Sequence, residues 1–154
     1  MKNRYDYKPE KIFNLDKEVV LVTGAAGQLG SSIVNGLIDS NARVIAVDVS
    51  EDLLNKSTVK WGWDQEKVIL SQVDITKRND ISEALQKGIM AFGQVTALVT
   101  NAGVSVFEPY MDRKEESINW VMNVNLKGTL LCIQEFLKHR KERAGGGSIV
   151  NIGS

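Results

Sequence analysis

Val19-Val20-Leu21-Val22-Thr23-Gly24-Ala25-Ala26-Gly27-Gln28-Leu29-Gly30 is the stretch that decides how the chain is read. Its first four residues form a short, unbroken apolar run, the pattern of a strand buried on both faces of a parallel sheet. Three glycines follow. After them comes an amphipathic stretch in which Ile33, Val34, Leu37 and Ile38 fall on one helical face. Strand, glycine turn and helix, in that order, suit a phosphate. The glycines let the chain turn tightly, let a pyrophosphate approach the backbone and let the helix pack close to the strand. The helix N-terminus adds unpaired N–H groups and the positive end of a dipole. Three glycines cost chain entropy. The fold alone is not expected to need all three, so a ligand is the expected reason for them, against the plainer reading of a turn that binds nothing.

The same alternation continues outward. Val44 to Val47 reads as a second strand and ends at Asp48. A carboxylate there can accept both hydroxyls of an adenosine ribose and would repel a 2′-phosphate; the plainer reading is a surface aspartate closing a strand. Lys67 to Val73, Val95 to Thr100 and Ser148 to Ile152 read as three further strands. Ile81 to Phe92 reads as a helix, with Ile81, Ala84, Leu85, Ile89 and Phe92 at helical spacing. Ser117 to Arg140 reads as one long helix with Ile118, Val121, Met122, Ile133 and Leu137 on its buried side, broken by Gly145-Gly146-Gly147. Residues 55–66, with Trp61 and Trp63 around Gly62, are irregular and read as a loop over the sheet edge. Residues 1–17 are a polar lead-in. Strands alternating with helices imply right-handed βαβ units. The expected fold is therefore α/β, a Rossmann-type doubly wound parallel sheet with five strands in the given sequence.

Composition narrows the function. The 154 residues amount to one domain, or a piece of one. Lys plus Arg and Asp plus Glu number 19 each, for a formal net charge of zero. That balance argues against nucleic acid or an anionic membrane as a partner. A single cysteine, Cys132, can form no internal disulfide and fits a reducing compartment; it reads as a buried structural thiol, not a nucleophile. No apolar run approaches the roughly 20 residues that span a bilayer, and the charged N-terminus has no signal-peptide core. A cytoplasmic protein is expected.

Thr23-Gly24, Gly27, Gly30, Asp48, Asp74-Ile75, Asn101-Ala102-Gly103, Asn125-Leu126-Lys127-Gly128 and Gly147-Ser148-Ile149-Val150-Asn151-Ile152-Gly153-Ser154 occur in that order. The series resembles the short-chain dehydrogenase/reductase family across residues 18–154. The resemblance implies an NAD(P)-dependent oxidoreductase that moves a hydride between nicotinamide and a small carbonyl or alcohol substrate. It implies a cofactor held by Thr23, Gly24, Gly27, Gln28, Leu29, Gly30, Asp48, Asp74, Ile75, Asn101, Ala102 and Gly103. Asp74 would meet the adenine amino group, with Ile75 packed nearby. Asn125 would hold a relay water through its backbone at a kink in the long helix, and Ser154 would hold the substrate oxygen; these two are the candidate catalytic residues. No metal is implied, and the parent protein is expected to be a homo-oligomer. NAD is expected over NADP, because Val49 and not a basic residue follows Asp48, and the glycine turn carries no Arg or Lys.

Two features depart from the family pattern. Gln28 stands where the single-domain branch has a glycine, and Gly27 lies one place earlier, as in the extended, epimerase-type branch. The downstream motifs look like the single-domain branch, and the mixture hints at a sugar-related substrate. The family's catalytic Tyr-x-x-x-Lys lies beyond the serine, and the sequence stops at Ser154. A tyrosine with pKa about 10 needs the lysine's charge to act as a base near neutrality. Tyr7…Lys11 and Tyr110…Lys114 share the spacing, but neither follows the fifth strand, and both read as chance matches. Residues 18–154 are thus expected to be a nucleotide-binding Rossmann domain, incomplete at its C-terminus, from a parent enzyme and inactive alone. The alternatives are a non-catalytic dinucleotide-binding module and a fragment of an extended-type sugar-nucleotide epimerase or dehydratase.

Overall fold

The computed structural model describes residues 13–141 and 146–153. The elements follow the expected alternation. They are β1 (Val19–Thr23), α1 (Gln28–Asp39), β2 (Arg43–Asp48), α2 (Glu51–Trp61), β3 (Val68–Gln72), α3 (Arg78–Phe92), β4 (Ala97–Thr100), a 3₁₀ turn (Tyr110–Asp112), α4 (Glu115–Val121), a π-helical segment (Met122–Gly128), α5 (Thr129–Lys141) and β5 (Ser148–Asn151). All neighbouring strands are parallel, in the order β3-β2-β1-β4-β5. From β1 the chain winds outward through β2 and β3, then returns to the other side of β1 for β4 and β5. The reversal between β1 and β4 opens a crevice at the carboxyl ends of the strands.

The pleat of β1 divides the interior in two. Val19 and Leu21 join Ile45, Val47 and Leu98 on one face, where Ile81, Leu85 and Phe136 of α3 and α5 cover them. Val20 and Val22 join Val44, Ala46 and Val99 on the other, where Val34 of α1, Leu54 of α2 and Trp63 cover them. Every residue of β1 is buried. This explains the unbroken apolar run: a strand covered on both faces has no solvent side to mark with polar residues. Each fully buried Leu or Ile contributes about 1.5–3 kcal/mol.

Two expectations need correction. Residues 55–61 are not loop but belong to α2. That helix is specified by its ends and not by a stripe. The Ser50 hydroxyl accepts a hydrogen bond from Leu53 N–H at 3.3 Å, Glu51 and Asp52 occupy the positive first turn, and Gly62 closes the last. It buries only Leu54 and Ser57, so there was little apolar period to read. Trp63 is no edge cover but part of the core, with its Nε1–H donating to Asn35 Oδ1 at 2.7 Å.

The second correction concerns residues 117–140, which are not one uniform helix. The π-helical segment interrupts the 3.6-residue period, and the buried face after it is not the continuation of the one before. Ile118, Met122 and Leu137, expected inside, are about half exposed, while Cys132 and Phe136 are buried. Trp120 of α4, Leu126 of the π-helical segment, Leu130 of α5 and Ile149 and Val150 of the edge strand β5 are also partly exposed. Among the described residues no helix is long and apolar enough to cross a membrane.

Candidate active site

The crevice is organised around the turn that follows β1. Thr23 lies beneath that turn, not on its surface. It is buried, and its Oγ1 accepts hydrogen bonds from Asn101 N–H at 2.9 Å and Ala102 N–H at 3.0 Å. The Asn101 amide returns two bonds to the carbonyls of Thr23 and Gly24, at 3.0 and 3.2 Å. The segment after β4 is thereby tied to the glycine turn. The Asn-Ala-Gly motif and the first strand work as one unit.

Two of the three glycines, Gly24 and Gly30, are needed by the fold itself, while the fold does not require the third. Gly24 has φ +64°, and a Cβ there would lie 2.8 Å from Ala102 Cα. A Cβ on Gly30 would lie 2.0 Å from the Gly24 carbonyl oxygen. These are backbone clashes that no rotamer change relieves. Gly27 is different. It is the N-cap of α1 with extended backbone, and its Cβ would stop 3.3 Å from Gly24 O. It supplies no capping side chain, and the first turn of α1 contains no acidic residue. The N–H groups and dipole of α1 therefore face the crevice beside exposed Gln28 and Leu29 with no built-in anion.

Asp48 stands at the end of β2, against the turn. Its Oδ2 accepts from Ala26 N–H at 3.1 Å and its Oδ1 from Ser50 N–H at 3.2 Å. The carboxylate thus bridges the glycine turn and the start of α2, while each oxygen keeps lone pairs for another donor. Asp74 follows β3. Its Oδ1 accepts from the Thr76 hydroxyl at 2.7 Å and from Thr76 N–H at 3.0 Å, and Lys77 Nζ lies 3.5 Å from Oδ2. The hydroxyl bond from Thr76 does most to hold the Asp74 carboxyl below the ordinary aspartate range. Partial burial opposes it, and the backbone bond and Lys77 assist.

Asn125, expected at a kink, lies inside the π-helical segment that interrupts the long helix. Its side chain pairs with one residue: Oδ1 accepts from Val104 N–H at 2.8 Å and Nδ2 donates to Val104 O at 2.9 Å. This double bond pair pins the chain beyond Gly103 to the helix. The Asn125 carbonyl accepts from the Thr129 hydroxyl at 2.8 Å.

Two contiguous clefts result. One, about 760 Å³, runs from Gly27, Gln28, Leu29 and Gly30 past Asn101 and Asn125 to Asn151. The other, about 400 Å³, lies between Val49, Asp74-Ile75, Trp120 and Val104. Gly24, Asp48, Ala102 and Gly103 line both. The predicted site residues other than Thr23 and Ser154 therefore meet in one crevice. Ser154 and the Tyr7…Lys11 pair lie outside the described residues. Among the described residues Tyr110 is the only tyrosine; it is 87% exposed and lines neither cleft. Cys132 is buried away from the crevice, and burial pushes its thiol up to about 12. No cluster of His, Cys, Asp or Glu among the described residues could hold a metal.

Residues 18–154 match the family model for short chain dehydrogenase. The chain belongs to this family. It is 31% identical over 145 residues to an NAD-dependent glycerol dehydrogenase of Listeria innocua, covering 94% of this chain and 56% of that one. It is 33% identical over 144 residues to a 3-oxoacyl-[acyl-carrier-protein] reductase of Thermotoga maritima, covering 91% and 56%. It is 28% identical over 134 residues to a diacetyl reductase of Staphylococcus epidermidis, covering 87% and 52%. A solved chain from Novosphingobium aromaticivorans superposes with TM-score 0.82 at 27% identity, covering 89% of this chain and 53% of that one. The chain thus spans about half the length of the relatives it matches. The Rossmann-type sheet is the family's own.

Several residues of this short chain dehydrogenase crevice escaped the sequence reading. Val49, Val104, Trp120, Asn123 and Val124 line the smaller cleft. Val49 is the neighbour of a recognised aspartate, and Asn151 lay within the quoted motif of the fifth strand. Trp120 carried no signal, because the apolar period of a uniform helix gave it no place.

Proposed function

We propose that residues 18–154 are the dinucleotide-binding part of an NAD-dependent oxidoreductase acting on a small carbonyl or alcohol. The observation that carries this reading is the convergence of the α1 N-terminus, free of acidic side chains, with Asp48 on one glycine-lined crevice. Relatives that include an NAD-dependent glycerol dehydrogenase and a diacetyl reductase support it. Gly24, Gly27 and the N–H groups of Gln28, Leu29 and Gly30 would hold the pyrophosphate. Asp48 would hold the adenosine ribose, and its charge disfavours the 2′-phosphate of NADP. Asp74, with Ile75, would face the adenine amino group. Asn101, Ala102 and Gly103 would floor the crevice.

A bound nicotinamide supplies the hydride chemistry. The chain's own part is to bind, orient and exclude water. Asn125 acts through Val104, fixing the backbone that borders the cleft, and its carbonyl, which accepts from the Thr129 hydroxyl, would hold a relay water. Ser154 would hold the substrate oxygen. General acid–base catalysis, worth about 10²–10⁴-fold, needs a tyrosine and lysine at the cleft. Tyr110, the only tyrosine among the described residues, stands outside it, so the described residues supply the binding part of the site and not this pair. The neutral charge balance supports a protein with no nucleic-acid or anionic-membrane partner. The partly exposed Ile149 and Val150 on the edge strand β5 support the reading that the parent is a homo-oligomer.

The test is calorimetric titration with NAD and NADP, followed by an NADH-oxidation assay over ketones, aldehydes and keto-sugars. NAD binding with weaker or absent NADP binding is expected. Equal or tighter NADP binding would overturn the role of Asp48. Turnover abolished by Tyr110→Phe would show that this tyrosine is the catalytic one.

A further inference from the structure

The smaller cleft has a wall that the glycine turn and the two aspartates do not explain. Trp120, near the end of α4, lines it together with Val49 and the Asp74-Ile75 turn, and the residue is 48% exposed. Large aromatics usually bury their faces. Of the other two tryptophans, Trp63 is in the core, and Trp61 is on α2 against Lys60, far from either cleft lining. Leaving an indole half open beside a cleft of about 400 Å³ costs hydrophobic stabilisation that a flat ligand would restore. The rest of the lining fits the same ligand. Val49, Ile75 and Val124 are apolar, and Asp74 adds a carboxylate whose remaining lone pairs can accept an N–H. An apolar slot with one aromatic wall and one acceptor suits a planar heterocycle bearing an amino group.

We propose that Trp120 is a recognition residue for the purine of the dinucleotide, forming the aromatic wall against which the base packs. The proposal rests on the dinucleotide reading of the crevice and assigns its purine end a residue of its own. Trp120 makes the site selective for dinucleotides with a large flat base at that end.

The experiment uses the full 154-residue chain and its Trp120→Ala and Trp120→Phe variants, titrated calorimetrically with NAD, AMP and nicotinamide mononucleotide. Stacking of a base on an aromatic side chain is worth about 1–3 kcal/mol by alanine substitution; for a half-exposed indole the lower part of that range applies, an affinity loss of about 5- to 30-fold. NAD and AMP should each weaken by that factor in Trp120→Ala, nicotinamide mononucleotide should be unchanged, and Trp120→Phe should recover most of the loss. In a Trp61→Phe background, AMP should change the tryptophan emission of the wild-type indole. If wild type binds NAD and AMP and Trp120→Ala binds both equally well, the role of Trp120 is overturned while the dinucleotide reading stands. If Trp120→Ala weakens nicotinamide mononucleotide as much as AMP, the residue is structural and the proposal fails. If wild type binds neither NAD nor AMP, both readings fall together.

Discussion

Replacing Thr23 by valine removes one oxygen and almost no volume, which makes it a sharp probe of what joins β1 to the segment after β4. In the folded chain that oxygen accepts from Asn101 N–H at 2.9 Å and from Ala102 N–H at 3.0 Å. Valine leaves both donors without it. A buried donor stranded in this way costs about 1–3 kcal/mol. Asn101 and Ala102 are only half buried, so water recovers part of the loss, and about 2 kcal/mol in total is expected. With a urea slope of about 2 kcal/mol/M for a domain of this size, the midpoint should fall by about 1 M. Thr23→Ser keeps the oxygen and loses one methyl, so about 1 kcal/mol is expected. NAD affinity should drop in the valine variant and survive in the serine variant, because Gly24 and Ala102 line both clefts. Urea unfolding followed by circular dichroism, with the slope held constant, is the assay. A valine variant as stable as the serine variant would refute the argument that this hydroxyl is the tie.

Further outcomes follow from the same geometry. Gln28→Glu adds a carboxylate to the exposed first turn of α1; it should stabilise the helix by about 0.3–1 kcal/mol and weaken NAD, read by thermal unfolding and calorimetry on the same sample. Gly30→Ala places a Cβ 2.0 Å from Gly24 O and should destabilise by at least the 1–3 kcal/mol typical of overpacking, about twice the effect of Gly27→Ala or more, read by urea midpoints. Asp74 has a depressed folded-state pKa, so its stabilisation is complete above the unfolded-state value and is lost as pH falls through the folded one. Thr76→Ala should move the Asp74 carboxyl upward in an NMR titration and, by narrowing the gap to the unfolded-state value, shrink that acid loss. Cys132, with its thiol pushed up to about 12 by burial, should react with a thiol reagent near neutral pH only as fast as the native state opens, and labelling that outpaces unfolding would contradict that burial.

Much of this protein was legible in one dimension, and for a physical reason. A strand covered on both faces must be apolar throughout, so β1, β2 and β4 stand out as unbroken runs. A turn with positive φ between strand and helix must be glycine, so the crevice announces itself at Gly24. Residues such as Asp48 and Asn101 were recognisable because their chemistry is tied to fixed places in that alternation. What tertiary structure alone decided is what depends on contact between distant segments. The need for Gly30 arises from the Gly24 carbonyl folding back over it. Thr23 works from beneath the turn because Asn101 and Ala102, 78 and 79 residues later, arrive within hydrogen-bond reach. Helix α2 was hidden because its ends specify it and its short buried side does not. The buried face of α5 was misread because the π-helical segment displaces it, and the period of a sequence carries no mark of where a helix widens. Trp120 lines the smaller cleft together with the Asp74-Ile75 turn, a meeting of distant segments that no local pattern encodes.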